Sequence, residues 1–240
     1  MRPSIKFLYS VLIIFSIISC ESEKKPKISY EDENKEQTLG IDSTYVPLAS
    51  NPIHIDSTEY LMHLIGEFRI PKSQTRYGLS KSSYGYGQFK ISNFNGLEIT
   101  GDINNIKFQK LGTEDLYPLT DAYININSIR YASEINNNIQ KQFLIYKIND
   151  QDTNQDEVLN YNDVESLYIS DIDGTGFEKI SPPNHELIDY QIWDVNNRLY
   201  YRTIEDSNKN GDFDVKDSIH FYYLDFSIDV FMPVEYNPVN

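Results

Sequence analysis

A strand, acidic loop, strand unit occurs twice in this chain, with the loops 54 residues apart, and it points to hairpins rather than helices. The first loop runs Asp152, Thr153, Asn154, Gln155, Asp156, Glu157, Val158, Leu159, Asn160, Tyr161, Asn162, Asp163. The second runs Asp206, Ser207, Asn208, Lys209, Asn210, Gly211, Asp212, Phe213, Asp214, Val215, Lys216, Asp217. Both carry oxygen side chains at positions 1, 3, 5, 9 and 12, and an apolar residue at position 8. Alternate residues of a tightly curled segment can all point inward, and a hard cation such as Ca²⁺ takes six to eight oxygens. An apolar run enters each loop (Phe143 to Ile148, Leu199 to Ile204) and another leaves it (Leu167 to Ile169, Ile219 to Leu224).

The rest of the chain after about Tyr60 has the same texture. Short alternating runs rich in Tyr, Ile, Phe and Val are separated by turn residues, and the 19 Tyr and 12 Phe suit half-buried pleated surfaces. Gln88–Ser92 and Leu97–Thr100 flank Asn95-Gly96, a hairpin signal. Tyr123 to Tyr131, Phe143 to Ile148, Asp189 to Asp194, Arg198 to Ile204 and Ser218 to Leu224 read as strands, with a turn at Asn196-Asn197. Tyr60 to Phe68 suits a helix or a strand, and no long amphipathic helix follows residue 75. The expected fold is all-β: repeated antiparallel hairpins, propeller-like in part or a β-sandwich, behind a disordered N-terminal tether.

The N-terminus reads as a processing signal. Arg2 and Lys6 precede an apolar run from Phe7 to Ile18, too short to span a bilayer comfortably. It ends Ile17, Ile18, Ser19, Cys20, and Cys20 is the chain's only cysteine, so no intrachain disulfide can form. A small residue before an obligatory cysteine resembles the lipobox of bacterial lipoproteins. That resemblance implies a signal peptide over 1–19, lipidation of Cys20, and residence in the bacterial cell envelope, with the outer membrane as the expected site. Glu21 and the charge after it faintly resemble surface-export signals, leaving the membrane face open. The charged, apolar-poor stretch that follows reads as a flexible tether over 20–57, ahead of a β-rich domain over 58–236. Cleavage before Cys20 would take the net charge from −15 to −17, which repels nucleic acid and anionic lipid.

The loops resemble the Ca²⁺ loops of EF-hands and, more closely, of dockerins. Carried over, the resemblance implies side-chain ligands Asp152, Asn154, Asp156 and Asp163, then Asp206, Asn208, Asn210 and Asp217. Val158 and Asp212 would give carbonyls, and Asn160 and Asp214 would act through water. Position 6 normally requires positive φ and hence glycine. Gly211 fits, whereas Glu157 departs and marks the first site as the weaker match. The β pattern after the loops also departs from those helical families and argues against a cohesin partner. Residues 110–230 loosely resemble the repeats of WD40-like β-propellers of the periplasmic Tol type, although only two or three units fit.

Rival chemistry is thin. Leu167 to Thr175 contains Asp171-Ile-Asp173-Gly174-Thr175, which resembles the nucleophile motif of haloacid-dehalogenase-type phosphatases. Asp171 would attack phosphorus and Asp173 would protonate the leaving group, but that family needs a parallel sheet with crossover helices. His54, His63, His185 and His220 are scattered, with His220 expected to pack or lie at the surface. Trp193 and the tyrosines suit either a core or a carbohydrate- or peptide-binding platform. The expectation is a non-enzymatic, lipid-anchored envelope protein with two structural Ca²⁺ sites, a protein or glycan partner, and no nucleic acid partner.

Overall fold

The computed structural model describes residues 26–30, 39–40, 45–69, 89–93, 97–139, 141–228 and 230–239. The signal, Cys20 and the Asn95-Gly96 turn lie outside them. Strands account for 48% of the described residues and helix for 4%, so the fold is all-β. In chain order the strands are β1 (Tyr45–Ala49), β2 (Ile53–His54), β3 (Tyr60–Arg69), β4 (Phe89–Ser92), β5 (Glu98–Ile103), β6 (Asn105–Lys110), β7 (Tyr117–Pro118) and β8 (Asn125–Tyr131). A short helix, α1 (Ser133–Ile139), follows. Then come β9 (Phe143–Asn149), β10 (Glu165–Asp171), β11 (Glu178–Lys179), β12 (His185–Trp193), β13 (Arg198–Glu205), β14 (Ser218–Asp225) and β15 (Val234–Tyr236).

Three sheets form, and every pairing among the described strands is antiparallel. The first has order β1-β3-β6-β7 with β2 also on β3; the second β11-β10-β9-β8-β5-β4; the third β12-β13-β14-β15. Tyr60 to Phe68, ambiguous in sequence, is the long strand β3.

Strand β9 shows why the sheets stack. Its side chains are buried on both faces: Leu144, Tyr146 and Ile148 join one core, Phe143 and Ile145 the other. The first core fills the space toward the first sheet, with Met62, Leu64, Ile106 and Phe108. The second fills the space toward the third sheet and α1, with Leu187, Leu199, Tyr201, Leu224 and Ile135. A strand covered on both sides needs a near-continuous apolar run, which Phe143 to Ile148 supplies with Lys147 as the one interruption. Each large apolar side chain so buried contributes roughly 1.5–3 kcal/mol.

The folded body begins before residue 58, where the domain was expected to start. Strand β1 pairs with β3 from Tyr45↔Arg69 to Ala49↔Ile65, and β2 pairs through Ile53↔Met62. Strand β1 lies at an edge, contains Pro47 and leaves Val46 and Leu48 exposed, so its burial pattern is faint in the sequence.

Candidate metal centres

Each acidic loop joins two neighbouring antiparallel strands. The first links β9 to β10, and the second links β13 to β14. At the root of the first loop, fully buried Asn149 donates its amide to the carbonyls of Asp163 and Val164, at 3.0 and 3.1 Å. This ties the entering strand to the leaving one.

The two loops fold alike, residue for residue. At position 1, Asp152 accepts hydrogen bonds from the N–H groups of Asp156 and Glu157, at 3.1 and 2.8 Å. Asp206 accepts from Asn210 and Gly211 at 3.1 and 2.7 Å. At position 3, Asn154 and Asn208 each accept from the position-5 N–H at 2.9 Å. At position 5, Asp156 and Asn210 accept from Val158 and Asp212. Position 12 closes both loops: Asp163 accepts from Thr153 and Asn160, and Asp217 from Ser207 and Asp214. Asn160 and Asp214, at position 9, each accept from the residue two further on.

Backbone torsions match as well. Positions 4 and 6 have positive φ in both loops: Gln155 at 58° and Glu157 at 67°, Lys209 at 56° and Gly211 at 86°. The left-handed turn expected at position 6 is thus present even where Glu157 replaces glycine, at a cost of about 1–2 kcal/mol. Leu159, at position 8, is buried as the anchor, while its counterpart Phe213 is only half-buried.

Asp152, Asp163 and Asp206 are buried carboxylates. Burial pushes the Asp163 carboxyl above its ordinary value, nearby Asp152 adds to this, and backbone N–H donors from Asn160, Asn154 and Thr153 oppose it. These hydrogen bonds fix the orientation of each carboxylate, Asp163 accepting from the Thr153, Asn154 and Asn160 N–H groups and from the Thr153 hydroxyl. Oxygens without hydrogens, held in a curled loop, are the donor set that Ca²⁺ takes.

A segment read as tether crosses both loops. Lys27 and Ile28 donate their N–H groups to the Gly211 carbonyl at 2.8 and 3.0 Å, and Ser29 donates to the Thr153 carbonyl at 2.7 Å. The Tyr30 hydroxyl donates to Asp206 at 3.0 Å, and burial together with Asp206 pushes its pKa up to about 12. Ile28 is buried, and Lys27 pairs with Glu186, whose other oxygen accepts the Glu165 N–H. Further on, the Gly40 N–H donates to the Glu157 carbonyl. A short apolar residue between lysines and acidic residues gives no periodic signal, and only the lone Ile28 in that charged stretch hints at it.

The remaining candidates resolve differently. Asp171 and Asp173 belong to the turn between β10 and β11. Asp173 accepts from the Thr175 N–H and hydroxyl, and Gly174 has φ 84°. A Cβ on Gly174 would stand 2.4 Å from the Phe108 ring. Turn chemistry and packing explain these letters, in a setting unlike the parallel strand and helix of the phosphatases. Trp193 is exposed. With Arg198, Tyr200, Phe221, Tyr223 and Tyr236 it occupies the outer face of the third sheet, where Arg198 lies 4.1 Å over the Tyr223 ring. His185 and His220, far apart in sequence, bring their rings to 5.0 Å on the inner face. Among the described residues no helix is long and apolar enough to cross a membrane. Comparison of the chain with models of protein families, with curated proteins and with solved structures gave no match.

Proposed function

We propose that this chain is a lipid-anchored protein of the bacterial cell envelope, with a β domain that holds two structural Ca²⁺ ions and serves a binding or assembly role. The observation that carries the reading is the agreement of the two loops in hydrogen bonding at positions 1, 3, 5, 9 and 12 and in positive φ at positions 4 and 6. Segment 26–30 adds to it, because it joins Cys20 to the body and lies across both loops. Calcium would then staple two hairpins and fix where the tether leaves the domain. Anchoring at the outer membrane rests on the sequence signal alone.

The test has two arms. Calcium titration of the purified chain should give two bound ions, and Asp206→Ala with Asp217→Ala should remove the second site only. No bound calcium by native mass spectrometry sinks the metal reading. Cys20→Ser should leave unprocessed, unlipidated precursor, and normal membrane retention of that variant refutes the anchor.

The aromatic row on the outer face, exposed at Trp193 and half-buried at Tyr200 and Tyr223, favours a glycan or peptide as the partner, since aromatic faces and arginine are common anchors at such interfaces. Tyr200→Ala with Tyr223→Ala should abolish binding while the melting temperature stays close to the parent value. In this proposal Asp171 and Asp173 form a turn. Release of phosphate from an aryl phosphate, lost in Asp171→Asn, would overturn it.

A further inference from the structure

We propose that His185, Glu205 and His220 form a third metal site, of different chemistry from the acidic loops and suited to Zn²⁺. The site is built by strand register. His185 on β12 stands directly opposite Glu205 on β13. His220 on β14 stands opposite Thr203, one pleat from Glu205 on the same face. One ligand atom from each of the three residues lies within 4.8 Å of the others. Imidazole and carboxylate donors suit Zn²⁺, whereas Ca²⁺ takes oxygen alone.

Neighbouring groups already orient both rings. The His220 Nδ1 lies 2.8 Å from a Glu235 oxygen on β15. An ionised carboxylate only accepts, so Nδ1 carries the proton and a neutral ring keeps its lone pair on Nε2. That Nε2 lies 3.3 Å from the Glu205 carboxylate. Two acceptors facing each other at this distance need a cation between them or a proton on Nε2. Ligands about 2.0–2.2 Å from a tetrahedral Zn²⁺ are about 3.4 Å apart, so the spacing suits the metal. The His185 Nδ1 is engaged by the Thr203 hydroxyl at 3.1 Å, which leaves its Nε2 for the ion. Glu235 and Thr203 thus play the supporting role that metal-bound histidines require.

Two histidines and one glutamate leave a fourth position. His220 and Glu235 line an open cleft of about 510 Å³ with Phe221, Tyr236 and Asn237. Water or a small ligand donor would complete the coordination from there. The proposal does not rest on the calcium reading, although Glu205 is followed at once by Asp206 of the second loop.

The test titrates Zn²⁺ into the purified, chelator-stripped full chain, with saturating Ca²⁺ to occupy the acidic loops. One Zn²⁺ per chain is expected by calorimetry and native mass spectrometry. Co²⁺ in its place should give the intense visible absorption of a four-coordinate site. His185→Asn and His220→Gln should each abolish stoichiometric binding, Glu235→Gln should weaken it about 10–100-fold, and His63→Gln should leave it unchanged. Circular dichroism checks that each variant is folded. No saturable binding, or binding that survives the His185 and His220 variants, overturns the site. Chains lacking the second acidic loop's ligands, Asp206→Ala with Asp217→Ala, should still take up Zn²⁺, which separates this site from the calcium reading.

Discussion

At the scale of the residue, position 6 of each loop shows what the backbone demands. Glu157 holds φ at 67°, a conformation that costs a side chain about 1–2 kcal/mol. Glu157→Gly should therefore raise stability by up to about 1 kcal/mol, the relief being offset in part by the freedom glycine adds to the unfolded chain. Urea unfolding checks the sign. Gly211 is more tightly constrained: φ is 86°, and a Cβ would come 2.4 Å from the Ile28 carbonyl. Gly211→Ala should cost about 1–3 kcal/mol and displace residues 26–28. Glu186 gives a second residue-level case. Burial raises its carboxyl above the ordinary value, and Lys27 opposes that. A raised folded pKa gives stability that is present below the unfolded value and is lost as pH rises through the folded one. Lys27→Met lifts the value further. Its deficit, about 1–3 kcal/mol at pH 7, should vanish below about pH 4, as a stability profile against pH will show.

At the scale of the element, the hairpins were legible because their signals are local. Phe143 to Ile148 is apolar but for Lys147, and Asn196-Asn197 is a turn, with Asn197 left-handed at φ 50°. The hydrogen-bonded oxygen positions of each loop were legible for the same reason, since those of one loop fall within twelve residues of each other. What the sequence hid depends on register and on distant chain segments. Nothing near His185 or His220 announces that β12, β13 and β14 set them on one face. Strand β1 carries no such signal either, because an exposed edge strand has no apolar alternation to display. Segment 26–30 was hidden too, because its hydrogen bonds go to loop carbonyls more than a hundred residues on. That attachment is open to test. Asp206→Ala with Asp217→Ala removes the Tyr30 acceptor and loosens the Gly211 carbonyl, so trypsin should cut after Lys27 faster than in the parent. Equal rates in the two proteins would mean that the second loop does not hold the segment.

At the scale of the whole molecule, three antiparallel sheets enclose two cores, and the middle strand β9 of the central sheet is buried on both faces. The hairpins that carry the acidic loops come from different sheets, one from the central sheet and one from the third. Residues 26–30 bridge them. Calcium in both loops would therefore tie two layers and the tether together, in a chain whose only cysteine is Cys20. Without the ion, paired carboxylates about 4 Å apart repel by roughly 4 kcal/mol at an effective dielectric of 20. At free Ca²⁺ ten times the dissociation constant, mass action adds about 1.4 kcal/mol per site. Two sites in a domain of this size correspond to a shift of about 5–10 °C. The most direct measurement is the melting temperature of the purified chain with Ca²⁺ and with a chelator. The account predicts a rise of that size with Ca²⁺, reduced by about half in Asp206→Ala with Asp217→Ala. An identical melting temperature with and without the ion would contradict it.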